Sequence, residues 1–153
     1  MEILVLHIFM AYSGKYRPVN HRKYKGDPRA VFYRSLWELK FMKWCDNHDH
    51  ILEWGSEEIV VPYRSPLDGK VHRYFVDFYA KVRNKSGTAK KYLIEVKPKK
   101  QTVEPKIPQR KTKRYLTEVT TYITNQAKWE AAREWCADHG LEFIILTEDH
   151  LNV

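Results

Sequence analysis

Two stretches of this chain carry acids where a strand would be apolar. Asp77 lies inside Tyr74-Phe75-Val76-Asp77-Phe78-Tyr79, and Glu95 lies inside Leu93-Ile94-Glu95-Val96-Lys97. Side chains alternate between the faces of a strand, so Glu95 and Lys97 share one face and Ile94 and Val96 the other. A carboxylate withdrawn from water costs several kcal/mol unless it is paired, hydrogen-bonded or bound to a cation. Whatever fold this chain adopts must meet that requirement at both positions.

The surrounding pattern predicts the elements. Asp27-Pro28 reads as an N-cap followed by proline at the first helical position. Phe32, Leu36, Leu39 and Lys43 follow at helical spacing, with Tyr33, Trp37, Phe41 and Trp44 beside them. A helix is expected from about Pro28 to His48. Glu57 to Tyr63 is rich in β-branched residues and reads as a strand, and Asp68-Gly69 as a tight turn. His72 to Arg83 alternates as one strand, 84–88 turns the chain, and Lys91 to Lys97 is the next strand. Arg114 to His139 is helical in its second half and stops at Gly140. Glu142 to Thr147 closes as a buried strand. The order helix, three strands, helix, strand predicts an α/β domain with a mixed sheet flanked by helices.

The chain has 153 residues, the size of one domain. Its formal net charge is +8, unevenly spread. Lys15 to Arg29 carries a net +5 and Pro98 to Arg114 a net +6, leaving −3 for everything else. The first stretch has no hydrophobic period and reads as a basic arm. The second holds Pro98, Pro105 and Pro108 and reads as a basic loop. The expected division is an N-terminal extension and arm over 1–27 and a domain over 28–153 containing the loop 98–114. Such a balance points to a polyanionic partner, most often nucleic acid.

Other classes are excluded by pattern. The longest apolar run, Ile3 to Ala11, is far short of the ~20 residues of a membrane span. It also lacks the flanks of a signal peptide. Neither GxxxxGK[ST] nor GxGxxG occurs. Cys45 and Cys136 are far apart and read as reduced thiols, not a zinc site. His48 and His50 fall at a helix end and read as capping or surface residues. Trp37, Trp44, Trp54, Trp129 and Trp135 read as core rather than as base-stacking platforms.

Asp77 and Glu95 on neighbouring strands suit a metal-dependent phosphodiesterase. Mg²⁺ takes one or two carboxylates together with phosphate and water. Lys97 would orient the attacking water or neutralise developing charge. The competing reading is a structural Glu95–Lys97 salt bridge, with Asp77 hydrogen-bonded at a strand end. Glu38, mid-helix, is either a further metal ligand over the sheet edge or a solvated partner of Arg34 at i−4. Lys99, Lys100, Arg110, Lys111, Lys113 and Arg114 follow the strand of Glu95 directly. They read as a phosphate clamp for DNA or as a solvated basic loop.

The combination of Asp77, Glu95-Val96-Lys97 and Glu38 on this element order resembles the PD-(D/E)xK nuclease superfamily. That resemblance implies a restriction-endonuclease-like αβββαβ core, with Asp on the second core strand, (D/E)xK on the third and Glu from the first helix. Val76 stands where the motif has proline. Asn125 and Lys128 lie one turn apart on the second helix, which in the superfamily often lends a polar residue to the site; Lys128 is thus a phosphate contact or a solvent-exposed residue.

From Met10 onward the chain also resembles the head completion nucleases of T-even-type tailed phages. The segments that carry this include Met10-Ala11-Tyr12-Ser13-Gly14-Lys15, Lys23-Tyr24-Lys25-Gly26-Asp27-Pro28 and Tyr33-Arg34-Ser35-Leu36-Trp37-Glu38. Arg73-Tyr74-Phe75-Val76-Asp77, Ile94-Glu95-Val96-Lys97-Pro98-Lys99-Lys100 and Lys128-Trp129-Glu130-Ala131-Ala132 continue it. The resemblance implies Mg²⁺-dependent cleavage of double-stranded DNA, with Mn²⁺ as a substitute. It places the protein in the host cytoplasm during assembly, or retained in the virion, acting after packaging and before tail joining beside portal or neck proteins. A transposon-end-type endonuclease with the same core and a non-catalytic DNA-binding connector are the alternatives. Met1 to Phe9 lies outside the resemblance and is expected to be an upstream extension rather than a native strand.

Overall fold

A computed structural model describes residues 12–152; the expectation for Met1 to Phe9 lies outside them. Among the described residues eight strands and three α-helices follow in order: β1 (Gly14–Lys15), β2 (Phe32–Tyr33), α1 (Leu36–Asn47), β3 (Ile51–Ser56), β4 (Val60–Arg64), β5 (Val71–Phe75), β6 (Phe78–Arg83), β7 (Ala89–Val96), α2 (Lys113–His139), β8 (Glu142–Leu146) and α3 (Glu148–Leu151). The central sheet runs β3-β6-β7-β8. β3, β6 and β7 are antiparallel, while β8 lies parallel to β7 and is reached through α2. A parallel pair needs such a crossover, and a long helix supplies it. The core is therefore the expected αβββαβ, a mixed sheet flanked by helices.

Each face of the sheet has its own core. Trp37, Phe41, Met42 and Cys45 of α1 pack with Ile51, Trp54, Phe78, Ala80, Ile94 and Val96. Trp129, Ala132 and Cys136 of α2 pack with Leu93 and with Val61, Tyr63, Tyr74 and Val76. The alternation in β7 thus sends Ile94 and Val96 towards α1. Both cysteines are buried and free.

Four expectations are corrected. The first helix begins at Leu36, because Ser35 is its N-cap: the Ser35 hydroxyl accepts the Glu38 backbone N–H at 3.1 Å. Asp27 instead closes a turn, its carboxylate accepting the Arg29 N–H at 2.9 Å, and Phe32–Tyr33 pairs with Gly14–Lys15. The first core strand is Ile51–Ser56, and the predicted strand 57–63 becomes β4 of a separate hairpin with β5. The predicted strand His72 to Arg83 breaks at 76–77, so Asp77 lies between β5 and β6. α2 is helical over its whole length from Lys113, capped by Thr112 and ended by Gly140 at φ 75°, where a left-handed backbone favours glycine.

The basic arm holds only a short 3₁₀ turn, His21–Lys23, after β1, but it is docked. Asp46, wholly buried at the end of α1, accepts the Tyr16 hydroxyl at 2.6 Å and the N–H groups of Val19 and Asn20 at 2.7 and 3.0 Å. Tyr24 and Val31 enter the α1-side core. Among the described residues no helix is long and apolar enough to cross a membrane.

Candidate active site

The break between β5 and β6 builds the site. Asp77, half-buried, accepts the backbone N–H of Val96 at 2.9 Å and so sits beside Glu95 and Lys97. Glu95 is buried; its carboxylate accepts the Tyr74 hydroxyl at 2.6 Å and lies 3.5 Å from the Lys97 ammonium. The salt bridge expected of the structural reading is therefore present, but it opens onto a cleft of about 460 Å³ instead of closing into the core. Asp77, Glu95, Lys97 and Lys128 line that cleft, with Arg34, Glu57, Arg73, Tyr74 and Phe75.

Electrostatics tie the acids together. Burial pushes the Asp77 carboxyl well above the usual carboxylate range, and the charges of Glu95 and Glu38 push it further. Burial likewise raises Glu38 to about 7, with Glu57 adding to the rise and the Ser35 hydroxyl and Arg34 opposing it. Glu38 is buried and accepts the Ser35 hydroxyl at 3.3 Å, while Arg34 pairs with Glu57 at 2.8 Å. The solvated reading of Glu38 thus gives way to a buried acid on the same electrostatic cluster as Asp77.

Lys128 projects from α2, half-buried, with its ammonium 5.6 Å from the Tyr74 ring centre and 5.8 Å from that of Tyr63. Burial lowers its proton affinity, and Lys97 adds to this while Glu95 and Asp77 oppose it. The exposed reading of Lys128 is not the one the fold adopts. The loop cations do not line the cleft. Lys99 pairs with Asp149 at 3.1 Å and Arg114 with Glu118 at 3.2 Å, while Lys100, Arg110, Lys111 and Lys113 are exposed. Trp37, Trp54 and Trp129 are core residues, whereas Trp44 is 46% exposed beside His48.

A hard cation fits this donor set. The convergent groups are carboxylate oxygens that repel one another, the environment that favours Mg²⁺ or Mn²⁺ over softer metals. Among the described residues no three acidic, histidine or cysteine side chains close into a metal cage. An ion here would take one or two carboxylates and leave its other positions to water and phosphate, which is how Mg²⁺ is commonly held.

Arg34, Glu57, Arg73 and Tyr74 also line the cleft, and the sequence pattern does not single them out. The spacing Ser35-x-x-Glu38 is the capping-box signature and was the available signal for where α1 starts. No local signal marks Glu57.

An αβββαβ core that gathers Asp77, Glu95 and Lys97 where a strand breaks is the architecture of the PD-(D/E)xK nucleases. Residues 48–148 match the family model of the TnsA-like endonuclease N-terminal domain. The chain is 43% identical over 146 residues to the head completion nuclease of Enterobacteria phage T4, covering 93% of this chain and 95% of that protein. It belongs to the head completion nuclease family.

Proposed function

We propose that this protein is a Mg²⁺-dependent deoxyribonuclease that hydrolyses phosphodiester bonds in double-stranded DNA during phage head completion. The observation that carries the reading is the convergence of Asp77, Glu95 and Lys97 on one cleft that also presents Arg34, Arg73 and Lys128. Acids alone would repel DNA; acids ringed by cations suit a phosphate that arrives together with a metal ion.

Asp77 and Glu95 are the metal ligands of this reading, with Glu38 completing the acidic cluster. A bound Mg²⁺ would supply Lewis acidity at the phosphate and a more acidic water. In this reading Lys97, which lines the cleft, orients the attacking water and offsets charge on the phosphate oxygens. Tyr74 holds Glu95 by its hydroxyl and so fixes one carboxylate oxygen. Lys128, over the rings of Tyr63 and Tyr74, offers its ammonium to a phosphate oxygen. Lys99, Lys100, Arg110, Lys111, Lys113 and Arg114 extend the positive surface along the duplex.

The identity to a head completion nuclease supports the head-completion role; in this reading the protein acts after packaging and before head–tail joining, in the host cytoplasm, beside portal or neck proteins. The match to the TnsA-like model favours a second reading of the same chemistry, cleavage at transposon ends. Sequence-selective cutting would support that second reading over the first.

The test uses linear and supercoiled DNA, wild type and Asp77→Ala, with Mg²⁺ or chelator. Metal-dependent cleavage by wild type alone is expected. No cleavage by clean wild type leaves the non-catalytic connector, and equal cleavage by Asp77→Ala removes the site assignment. The two DNA forms separate endonuclease from exonuclease action.

A further inference from the structure

The ribbon formed by β3–β6 and continued by β4–β5 bends at one place. Pairing stops at Ser56 opposite Phe78 and resumes at Val60 opposite Phe75. Residues 57–59 therefore face only 76 and 77, so one strand carries an extra residue, the mark of a β-bulge. The bend stays hydrogen-bonded: the Glu57 N–H donates to the Asp77 carbonyl at 3.0 Å and the Val76 N–H to the Ile59 carbonyl at 3.1 Å.

Glu57 takes φ 55° at this bend. That left-handed conformation is disfavoured for a residue with a Cβ, and glycine is its usual occupant in bulges. Bulges and strained backbone concentrate beside functional sites, where they re-aim a side chain. Here the side chain is a glutamate whose carboxylate lies 2.8 Å from the Arg34 guanidinium. Arg34 directly precedes the buried N-cap Ser35, so its backbone is anchored. Its side chain is 72% exposed, against 29% for Glu57. One guanidinium can meet a carboxylate and still present further N–H donors in the same plane.

We infer that Arg34 contacts a DNA phosphate at the mouth of the cleft and that Glu57 is the positioning residue that holds it there. The inference rests on the DNA-cleaving reading above. A tethered arginine loses less side-chain freedom when a phosphate arrives than an unrestrained one. The bend alone gives no reason for glutamate, because glycine meets the backbone requirement with less strain.

The experiment compares wild type, Glu57→Gly, Arg34→Ala and the double variant. Thermal melting is read first, then affinity for a short labelled duplex across a salt series in chelator, then kcat and KM with Mg²⁺. Glu57→Gly is expected to melt at or above the wild-type temperature, since glycine relieves the left-handed backbone. Its DNA affinity should fall roughly tenfold, with the slope of log K against log salt shallower by about 0.9. The loss should fall on KM more than on kcat. Arg34→Ala should behave alike, and the double variant should bind no more weakly than Arg34→Ala, because both changes remove the same phosphate interaction.

Wild-type affinity in Glu57→Gly overturns the inference, and so does a double variant whose losses add. If Glu57→Gly does not fold, Glu57→Gln carries the same comparison, and full affinity there overturns it. A wild type that binds DNA without cleaving removes the nuclease reading alone, because binding is read without metal.

Discussion

Asp77 and Glu38 hold their protons more tightly in the folded chain than in the unfolded one, because burial and neighbouring acids disfavour their charge. Their contribution to stability is full below the unfolded carboxylate range near pH 4. It is lost as pH rises through the folded values, about 7 for Glu38. The metal-free protein is therefore expected to lose melting temperature between about pH 4 and about pH 7, and Glu38→Gln should flatten that decline. Melts in chelator check this; an unchanged slope in Glu38→Gln counts against it. By the same reasoning Asp77→Asn should cut cleavage more than about a hundredfold. Its melting temperature should stay level or rise, since the variant removes a repelled charge. A large fall in melting temperature would assign Asp77 to the fold and not to the site.

The element that depends most on one residue is the arm before β2. Asp46 fastens it to α1 through the Tyr16 hydroxyl and the Val19 and Asn20 N–H groups, and its own carbonyl accepts from Asn20 at 2.6 Å and Lys23 at 3.1 Å. Burial alone would raise the Asp46 carboxyl, but these donors and the Lys23 charge outweigh it and hold the group below the usual range. The sign is opposite to that of Asp77 and Glu38. This stabilisation is complete above about pH 4 and disappears as acid protonates the group below that. Asp46→Ala should cost about 3 kcal/mol, because several buried donors lose their acceptor. Urea denaturation measures it, and early protease cutting between Tyr16 and Asn20 should accompany it. A wild-type midpoint would show that the arm adds nothing to stability.

Across the whole molecule, charge is divided between a cleft and a loop. Arg34, Arg73, Lys97 and Lys128 line the cleft, whereas the loop cations sit away from it. Two of those, Lys99 and Arg114, already pair with Asp149 and Glu118. Neutralising Lys100, Arg110, Lys111 and Lys113 together should make the salt slope of DNA binding shallower by about 0.9 for each phosphate these side chains neutralise. Cleavage of bound DNA at low salt should change far less. An unchanged slope would remove the loop from the path of DNA.

Local pattern was enough for the order helix, three strands, helix, strand, though not for which segment supplies the first core strand, and for three of the residues that line the cleft. A strand that alternates apolar and charged residues has one physical solution, so Glu95-Val96-Lys97 and the acid at Asp77 were legible as a pair of neighbours. Gly140 and the second helix were legible because a helix stop is a local backbone event. The start of α1 differs from the expected one because Asp27-Pro28 and Ser35-x-x-Glu38 both have the composition of a helix start, and only the latter opens a run buried at helical spacing, Trp37, Phe41, Met42 and Cys45. Arg34, Arg73 and Glu57 were not legible, since their proximity to Asp77 depends on a ribbon bend that no spacing records. Which acids need a partner follows from the order of amino acids alone, because an apolar strand around a carboxylate is a local fact. Which cations answer them follows only from the folded chain, because a left-handed Glu57 and a broken strand at Asp77 arise only when β3 and β6 are paired.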